Sequence, residues 1–399
     1  MKIGIYSELF ARAALGGREL IVAVLGEAFT ARGHRVEYVH HVPELSAADF
    51  EERFATAPGS IALRYVPNHS RAGVRNFLQW LREHRRWEES LSSGYDCFIC
   101  IVHDVPIRCH SPRAVLQVLF PIFQPYDLAG MSRLTGGGLW RLRGALRTLY
   151  MRQRWQRALA TYPLRTSISR YTQLWTKLRW RTDSTVIYPP SGGSFAPAEK
   201  RDLILSVGRF SGYPIGTVSK RQLEMTKAFS EMETPWEYAS IGAVGKSGCD
   251  RDYFARVQGV AEEGGDRIEI IADAPHATLK QLYGAAKIFW HAAGYGDDDR
   301  AHPELMEHFG IATVDAMSAG AVPVVINKGA QPEIVEHGVS GFLWNTLDEL
   351  KSYTITLMRD EQLRLRMAAA AEQRAAHFSR DAFVERFFEF VEPMLNKPL

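Results

Sequence analysis

Along the first half of the chain, short apolar runs alternate with longer stretches whose apolar residues recur at helical spacing. Strands are expected at Lys2–Tyr6, Arg35–His40, Cys97–His103, Val115–Phe120 and Thr166–Ser169, with a helix over Arg18–Arg32 between the first two. Thr185–Tyr188 is a last strand before Pro189-Pro190-Ser191-Gly192-Gly193-Ser194-Phe195-Ala196-Pro197, the one cluster of turn formers near the middle. The alternation then resumes. Strands are expected at Leu203–Val207, Glu237–Ile241, Ile268–Ile271, Ile288–His291 and Val322–Ile326, and helices at Lys220–Met232, Tyr253–Glu263, Thr278–Ala286 and Ile311–Ser318. Strand–helix alternation of this kind predicts an α/β protein with two doubly wound parallel sheets facing across a cleft. The expected domains are 1–188, 189–378, and a final amphipathic helix over 379–399 carrying Phe383, Phe387, Phe388 and Phe390.

Length agrees with that division, since 399 residues exceed what one core usually organises. With 46% hydrophobic and 23% charged residues, the chain can bury two ordinary cores. Four cysteines make no disulfide scaffold. Cys97 and Cys100 form a C-x-x-C inside a strand, where residues three apart face opposite sides, so they read as reduced core thiols. Glu8 and Arg12 interrupt the apolar start, which reads as a first strand and not as a signal peptide. No run approaches the about 18 apolar residues of a membrane span. A cytosolic protein is expected, with peripheral contact to the cytoplasmic face of a membrane as an option.

The most informative stretch is His302-Pro303-Glu304-Leu305-Met306-Glu307-His308-Phe309-Gly310-Ile311-Ala312-Thr313-Val314-Asp315-Ala316-Met317-Ser318-Ala319-Gly320. A helix opening after Gly310 presents free N–H groups and a positive dipole end, which suit a phosphate. Glu307 stands just before that end, and Asp315 lies one turn inside, where a carboxylate can accept ribose hydroxyls. The spacing brackets a sugar nucleotide.

This arrangement resembles the Glu-x7-Glu signature of the retaining glycosyltransferases of family four, which have the GT-B fold. The continuation Gly329-Ala330-Gln331-Pro332-Glu333-Ile334-Val335-Glu336-His337-Gly338 is similar to the same family. The wording Glu-His-Phe-Gly-Ile is nearest to the branch with the α-1,2-mannosyltransferase of dolichol-linked oligosaccharides. The chain departs from the pattern in having Asp315 in place of the second Glu. The resemblance implies a donor site of Glu307, Phe309, Gly310, Ile311 and Asp315. It also aligns Arg209 and Lys220, with Arg221 as fallback, to the cations that neutralise the departing diphosphate. Gly16 and Gly17 match the glycine loop after the first strand, and His291 is expected to shape the donor pocket.

For the catalytic centre the candidates are Glu307 and His103, the latter at a strand end in the first half. Related mannosyltransferases place a His before the proline corresponding to Pro121, whereas this chain has Leu119-Phe120. The acid run Asp297-Asp298-Asp299 is read as a loop and not a metal site, and no metal or other cofactor is expected.

Charge adds one further feature. The chain carries only +3 overall, yet no acid occurs between Asp127 and Asp183, an interval with Arg133, Arg141, Arg143, Arg147, Arg152, Arg154, Arg157, Arg165, Arg170, Lys177, Arg179 and Arg181. Arginine interleaved with Trp and Tyr suits an anionic lipid surface or a lipid-diphosphate acceptor. No nucleic-acid motif accompanies it. The expected function is hexosyl transfer with retention, from GDP-mannose or a UDP-sugar to a glycan or lipid-linked hydroxyl. The alternatives are a silent sugar-nucleotide-binding protein and a nucleotide-sugar epimerase of the same fold.

Overall fold

The computed structural model of the chain describes residues 1–8, 16–57, 59–69, 77–126, 138–191, 195–212, 219–245 and 247–398; side chains are described at neither 77–78 nor 138–148. Contacts divide the chain into two units, Met1–Tyr188 with Phe383–Leu399, and Pro189–Ala382.

The first unit runs β1 (Lys2–Ser7), α1 (Gly17–Ala31), β2 (Arg35–His40), α2 (Ala47–Phe54), β3 (Ala62–Tyr65), α3 (Phe77–Ser92), β4 (Cys97–Val102), β5 (Ala114–Val118), α4 (Gly138–Leu159), β6 (Leu164–Ser167), α5 (Arg170–Trp175) with a π turn over Thr176–Trp180, and β7 (Thr185–Val186). Its parallel sheet has the order β3-β2-β1-β4-β5-β6-β7. β4 and β5 are buried along their whole length, as a strand covered on both faces must be. One face carries Phe98, Cys100, Val102, Leu116 and Val118 into a core with Trp155, Tyr162 and Trp180. Cys97, Cys100 and Cys109 are buried free thiols, and burial pushes Cys97 up to about 12.

The second unit runs β8 (Arg201–Val207), α6 (Gln222–Ser230), β9 (Glu237–Gly242), α7 (Gly248–Gly264), β10 (Ile268–Ala272), α8 (His276–Ala285), β11 (Ala286–His291), α9 (Ile311–Ser318), β12 (Val322–Ile326), α10 (Gln331–Ile334), β13 (Phe342–Trp344), α11 (Leu347–Arg359) and α12 (Glu361–Ala376). Its sheet is also parallel, in the order β10-β9-β8-β11-β12-β13. Trp290, Tyr238, Val324 and Trp344 pack with Leu350 and Leu357, and the Trp290 indole donates to Thr354 Oγ1 at 2.9 Å. Helix starts are set locally: Ser247 with Asp250 and Thr346 with Glu349 close capping boxes on α7 and α11.

Some boundaries differ from expectation. Ser169 does not end a strand; it caps α5, its hydroxyl accepting from Thr172 N at 3.0 Å. The helix expected to open at Lys220 opens at Gln222 instead, because Arg221 takes a left-handed conformation (φ +58°) that no helix continues through. Edge strands β3 and β13 carry no apolar run long enough to be read.

α13 (Arg380–Leu395) completes the first unit. Phe388 packs with its ring centre 4.7 Å from that of Phe29 of α1, tilted by 59°, with the Arg32 guanidinium 3.6 Å from its ring centre. Arg113 Nε donates to Met394 O at 3.1 Å. Phe388→Ala is expected to lower the unfolding free energy of the first unit by about 3–5 kcal/mol, the usual loss for a deleted buried phenyl ring. Urea denaturation measures it, and a loss below about 1 kcal/mol would mean that α13 does not pack there.

Candidate active site in the second unit

Both sheets reverse their strand order once, between β1 and β4 in the first and between β8 and β11 in the second. At such a switch point the loops leaving adjacent strands part, and a crevice opens beyond their carboxyl ends. In the second unit, residues 208–221 follow β8 and residues 292–310 follow β11. Lys220 and Glu307 come from these segments, and His291 is the last residue of β11.

Glu307 is the centre. Its Oε2 accepts from Lys220 Nζ at 2.5 Å and from His291 Nε2 at 2.9 Å. Burial works against the carboxylate, but the Lys220 charge and the His291 hydrogen bond outweigh it and hold the acid well below the usual carboxylate range. Burial pushes His291 down, so the ring is neutral at pH 7 and donates through Nε2. Its Nδ1 receives a long contact, 3.5 Å, from Gln331 Nε2, which agrees with that tautomer. Gln331 is fully buried and its Oε1 accepts from Thr313 Oγ1 at 3.1 Å, tying the histidine to α9. Sequence reading missed Gln331, although it sits in the quoted continuation after Gly329. His308, next in the chain, is pushed down to about 4 by burial.

Two glycines permit this closeness. At Gly208 a Cβ would lie 2.5 Å from Lys220 Cγ, and at Gly329 one would lie 2.4 Å from Glu307 O. Gly310 turns the chain into α9 with φ +117°, and no side chain caps that helix. At the amino end of α9, Phe309 and Gly310 are buried and Ile311 half-buried, and the first N–H groups have no side-chain cap. Asp315 lies within α9 and is 6% exposed. Its charge reaches the buried Tyr283 phenol, whose pKa rises through burial first and Asp315 among the further causes.

Arg209 is the exposed residue of the segment just after β8, which Gln222 fixes by donating to Gly208 O and Arg209 O at 2.9 and 3.1 Å. Arg221, the fallback cation, is already committed: its guanidinium pairs with Asp297 at 2.6 Å and Glu224 at 3.4 Å. That pair also accounts for Asp297, while Asp298 accepts from Arg300 N at 2.9 Å. Among the described residues, no three His, Cys, Asp or Glu side chains group to hold a metal ion.

The other predicted residues belong to the first unit. Gly16 is the N-cap of α1, and its N–H donates to Glu19 Oε2 at 3.1 Å. Glu19 is buried, pairs with Arg18 Nε at 2.7 Å and accepts from Ser7 Oγ at 3.3 Å. The helix start that follows Gly16 and Gly17 therefore carries its own anion; most of the preceding loop, 9–15, lies outside the described residues. His103 stands half-buried just past β4. Sequence reading passed over two acids beside these loops. Burial, then the Asp104 charge, pushes Glu8 up, and burial pushes Asp104 up.

The basic interval is partly spent internally. Arg154 pairs with Glu88 at 3.1 Å, Arg179 donates to Pro121 O at 3.1 Å, and Arg152 and Arg181 lie 4.6 and 4.0 Å from the Tyr126 ring centre. Arg133 and the side chains of Arg141, Arg143 and Arg147 lie outside the described residues. No described helix is long and apolar enough to cross a membrane.

Comparison with known proteins bears on this site. Residues 193–374 match the model of a family described as glycosyl transferases group 1. The chain is 25% identical over 241 residues to the GDP-Man:Man(3)GlcNAc(2)-PP-Dol alpha-1,2-mannosyltransferase of Dictyostelium discoideum, covering 57% of this chain and 45% of that protein. It is 29% identical over 154 residues to the D-inositol 3-phosphate glycosyltransferase of Corynebacterium jeikeium (strain K411), covering 38% of this chain and 34% of that protein. The chain thus spans less than half the length of these relatives. Its structure matches Anabaena HepE in complex with UDP and glucose at a TM-score of 0.67 and 17% identity, over 98% of this chain and 100% of that one. The fold is GT-B, as the sequence led us to expect.

The Glu307 pKa has a consequence for stability. Its folded value lies below the unfolded one, so the stabilisation is complete above about pH 4.3 and is lost as pH falls through the folded value. Glu307→Gln is expected to melt lower than the parent at pH 7, with the gap closing under acid. A gap independent of pH between about 2 and 7 would mean that the carboxylate is not held ionised by its neighbours.

Proposed function

We propose, from the membership of residues 193–374 in the glycosyl transferases group 1 family, that the chain moves a hexose with retention from a nucleoside-diphosphate sugar to an acceptor hydroxyl. The observation that carries this is the half-buried Lys220–Glu307–His291 cluster beside the uncapped start of α9. Mannose from GDP-mannose is the favoured donor, on likeness to the mannosyltransferase, and UDP-sugars are the other candidates. The acceptor proposed is a glycan or lipid-linked glycan, met on the cytoplasmic side of a membrane.

In this reading the diphosphate lies at the amino end of α9, near Lys220 and Arg209. As the bond from C1 to the phosphate oxygen breaks, negative charge grows on the leaving group, and fixed cations stabilise that state more than the ground state. The acceptor oxygen forms its bond to C1 from the same face, and its proton passes to the departing phosphate. Glu307 holds the Lys220 ammonium in place and accepts from a sugar hydroxyl. Asp315 is the proposed ribose contact, and His103 the acceptor-side group of the first unit. With these charges supplied by the chain itself, the reading requires no divalent metal.

The near-complete burial of Asp315 favours one rival, a sugar-nucleotide-binding protein without turnover. Release of nucleoside diphosphate from a panel of GDP- and UDP-sugars separates the two, since only an enzyme turns its donor over.

Glu307→Ala and Lys220→Ala are each expected to cut transfer by about 10²–10³-fold with the fold intact by circular dichroism, the usual loss for a contact made mainly in the transition state. Near-native activity in Lys220→Ala would refute the diphosphate assignment.

Asp315→Ala should weaken binding of donor and of free nucleoside diphosphate in parallel, by about tenfold or more, whereas Asp315→Glu should retain binding. Calorimetry showing unchanged nucleoside diphosphate affinity in Asp315→Ala would reverse the proposed nucleotide orientation.

A further inference from the structure

We propose that the concavity between α3 and α4 of the first unit binds a phosphoryl group. The two helices leave an opening of about 540 Å³, mouth included. Arg85 enters it from α3, Arg154 and Arg157 from α4, and Arg108 from the loop between β4 and β5. The lining holds a single carboxylate, Glu88, which lies 3.1 Å from the Arg154 guanidinium and 3.5 Å from His84 Nε2. One acid does not neutralise four guanidiniums. Arg85, Arg108 and Arg157 are exposed and make no ion pair among the described residues.

His84 and Arg154 form the inner wall of the concavity. The His84 side chain is buried, with 8% of the residue exposed, and its Nε2 accepts from Arg154. Nδ1 of His84 and Nε of Arg154 have no hydrogen-bond partner among the described residues. Both residues line the concavity, with these two atoms closed off from its opening, so it is the exposed forks of Arg85, Arg108 and Arg157 that a ligand meets.

The residue types narrow the ligand. All four cations are arginine, whose planar fork meets phosphate oxygens in pairs, whereas lysine acts as a point charge. Donors come from two helices and a loop, so they surround a group with oxygens on several sides. A phosphoryl group has them; a carboxylate has two in one plane. The phosphate belongs either to a soluble molecule or to a lipid headgroup.

The test uses the full chain with inorganic pyrophosphate, followed by calorimetry, and with phosphatidylcholine vesicles with or without phosphatidic acid, followed by co-sedimentation. Arg85→Gln combined with Arg157→Gln removes two exposed, unpaired forks and leaves the Arg154–Glu88 pair alone, so the variant should melt like the parent. Lys220→Ala controls for diphosphate bound in the second unit. Pyrophosphate affinity is expected to fall at least about tenfold in the double variant and to persist in Lys220→Ala. Binding to soluble pyrophosphate assigns a soluble ligand. Binding to phosphatidic acid vesicles alone, lost in the double variant, assigns a lipid headgroup. The proposal is overturned if the parent binds neither probe, or if the double variant binds both as the parent does.

Discussion

A carboxylate drawn largely out of bulk water is kept ionised by nearby positive charge and hydrogen bonds. Glu307 has partners from three other places in the chain, Lys220, His291 and, through the imidazole, Gln331. Their convergence follows from topology. β8 and β11 are neighbours in the sheet but far apart in sequence, so the segments leaving them meet over the same crevice. Much of the irregular local backbone serves the same end: the glycines at 208, 310 and 329 let the segments close in, and the left-handed Arg221 turns Lys220 inward.

The two switch points are built alike and finished differently. In the first unit, Glu19 lies against the amide that opens α1, so a fixed internal anion already answers the helix dipole. In the second, α9 starts from a glycine with no capping side chain. A carboxylate thus sits at the amino end of α1 while no side chain caps α9, although a glycine precedes both helices.

Parallel strands buried on both faces were plain in the sequence, because β4 and β12 are unbroken apolar runs and β5 is interrupted only by Gln117. The helix Ile311–Ser318 was equally plain from its glycine boundaries. β3, exposed at both ends on a sheet edge, and the three-residue β13 gave no such signal. At the site, acids and cations could be read as chemistry, but their pairing could not. Alignment favoured Lys220 and kept Arg221 as fallback; what separates them in the fold is one backbone dihedral and Asp297, seventy-six positions from Arg221. Gln331 was invisible because a buried amide works through geometry alone. The arginine interval shows the converse error. A count of charges treats Arg179, laid over Phe120 and Trp175, as equal to an exposed lysine.

The return of α13 to the first unit also bears on synthesis. The ribosome releases the chain from its amino end, and domains tend to fold as they emerge. The second unit is continuous in sequence and has all its strands by residue 344. The first has its whole sheet far earlier, yet the ring that covers Phe29 is Phe388. Its apolar flank stays uncovered while nearly two hundred further residues are translated, so the half made first is the half finished last.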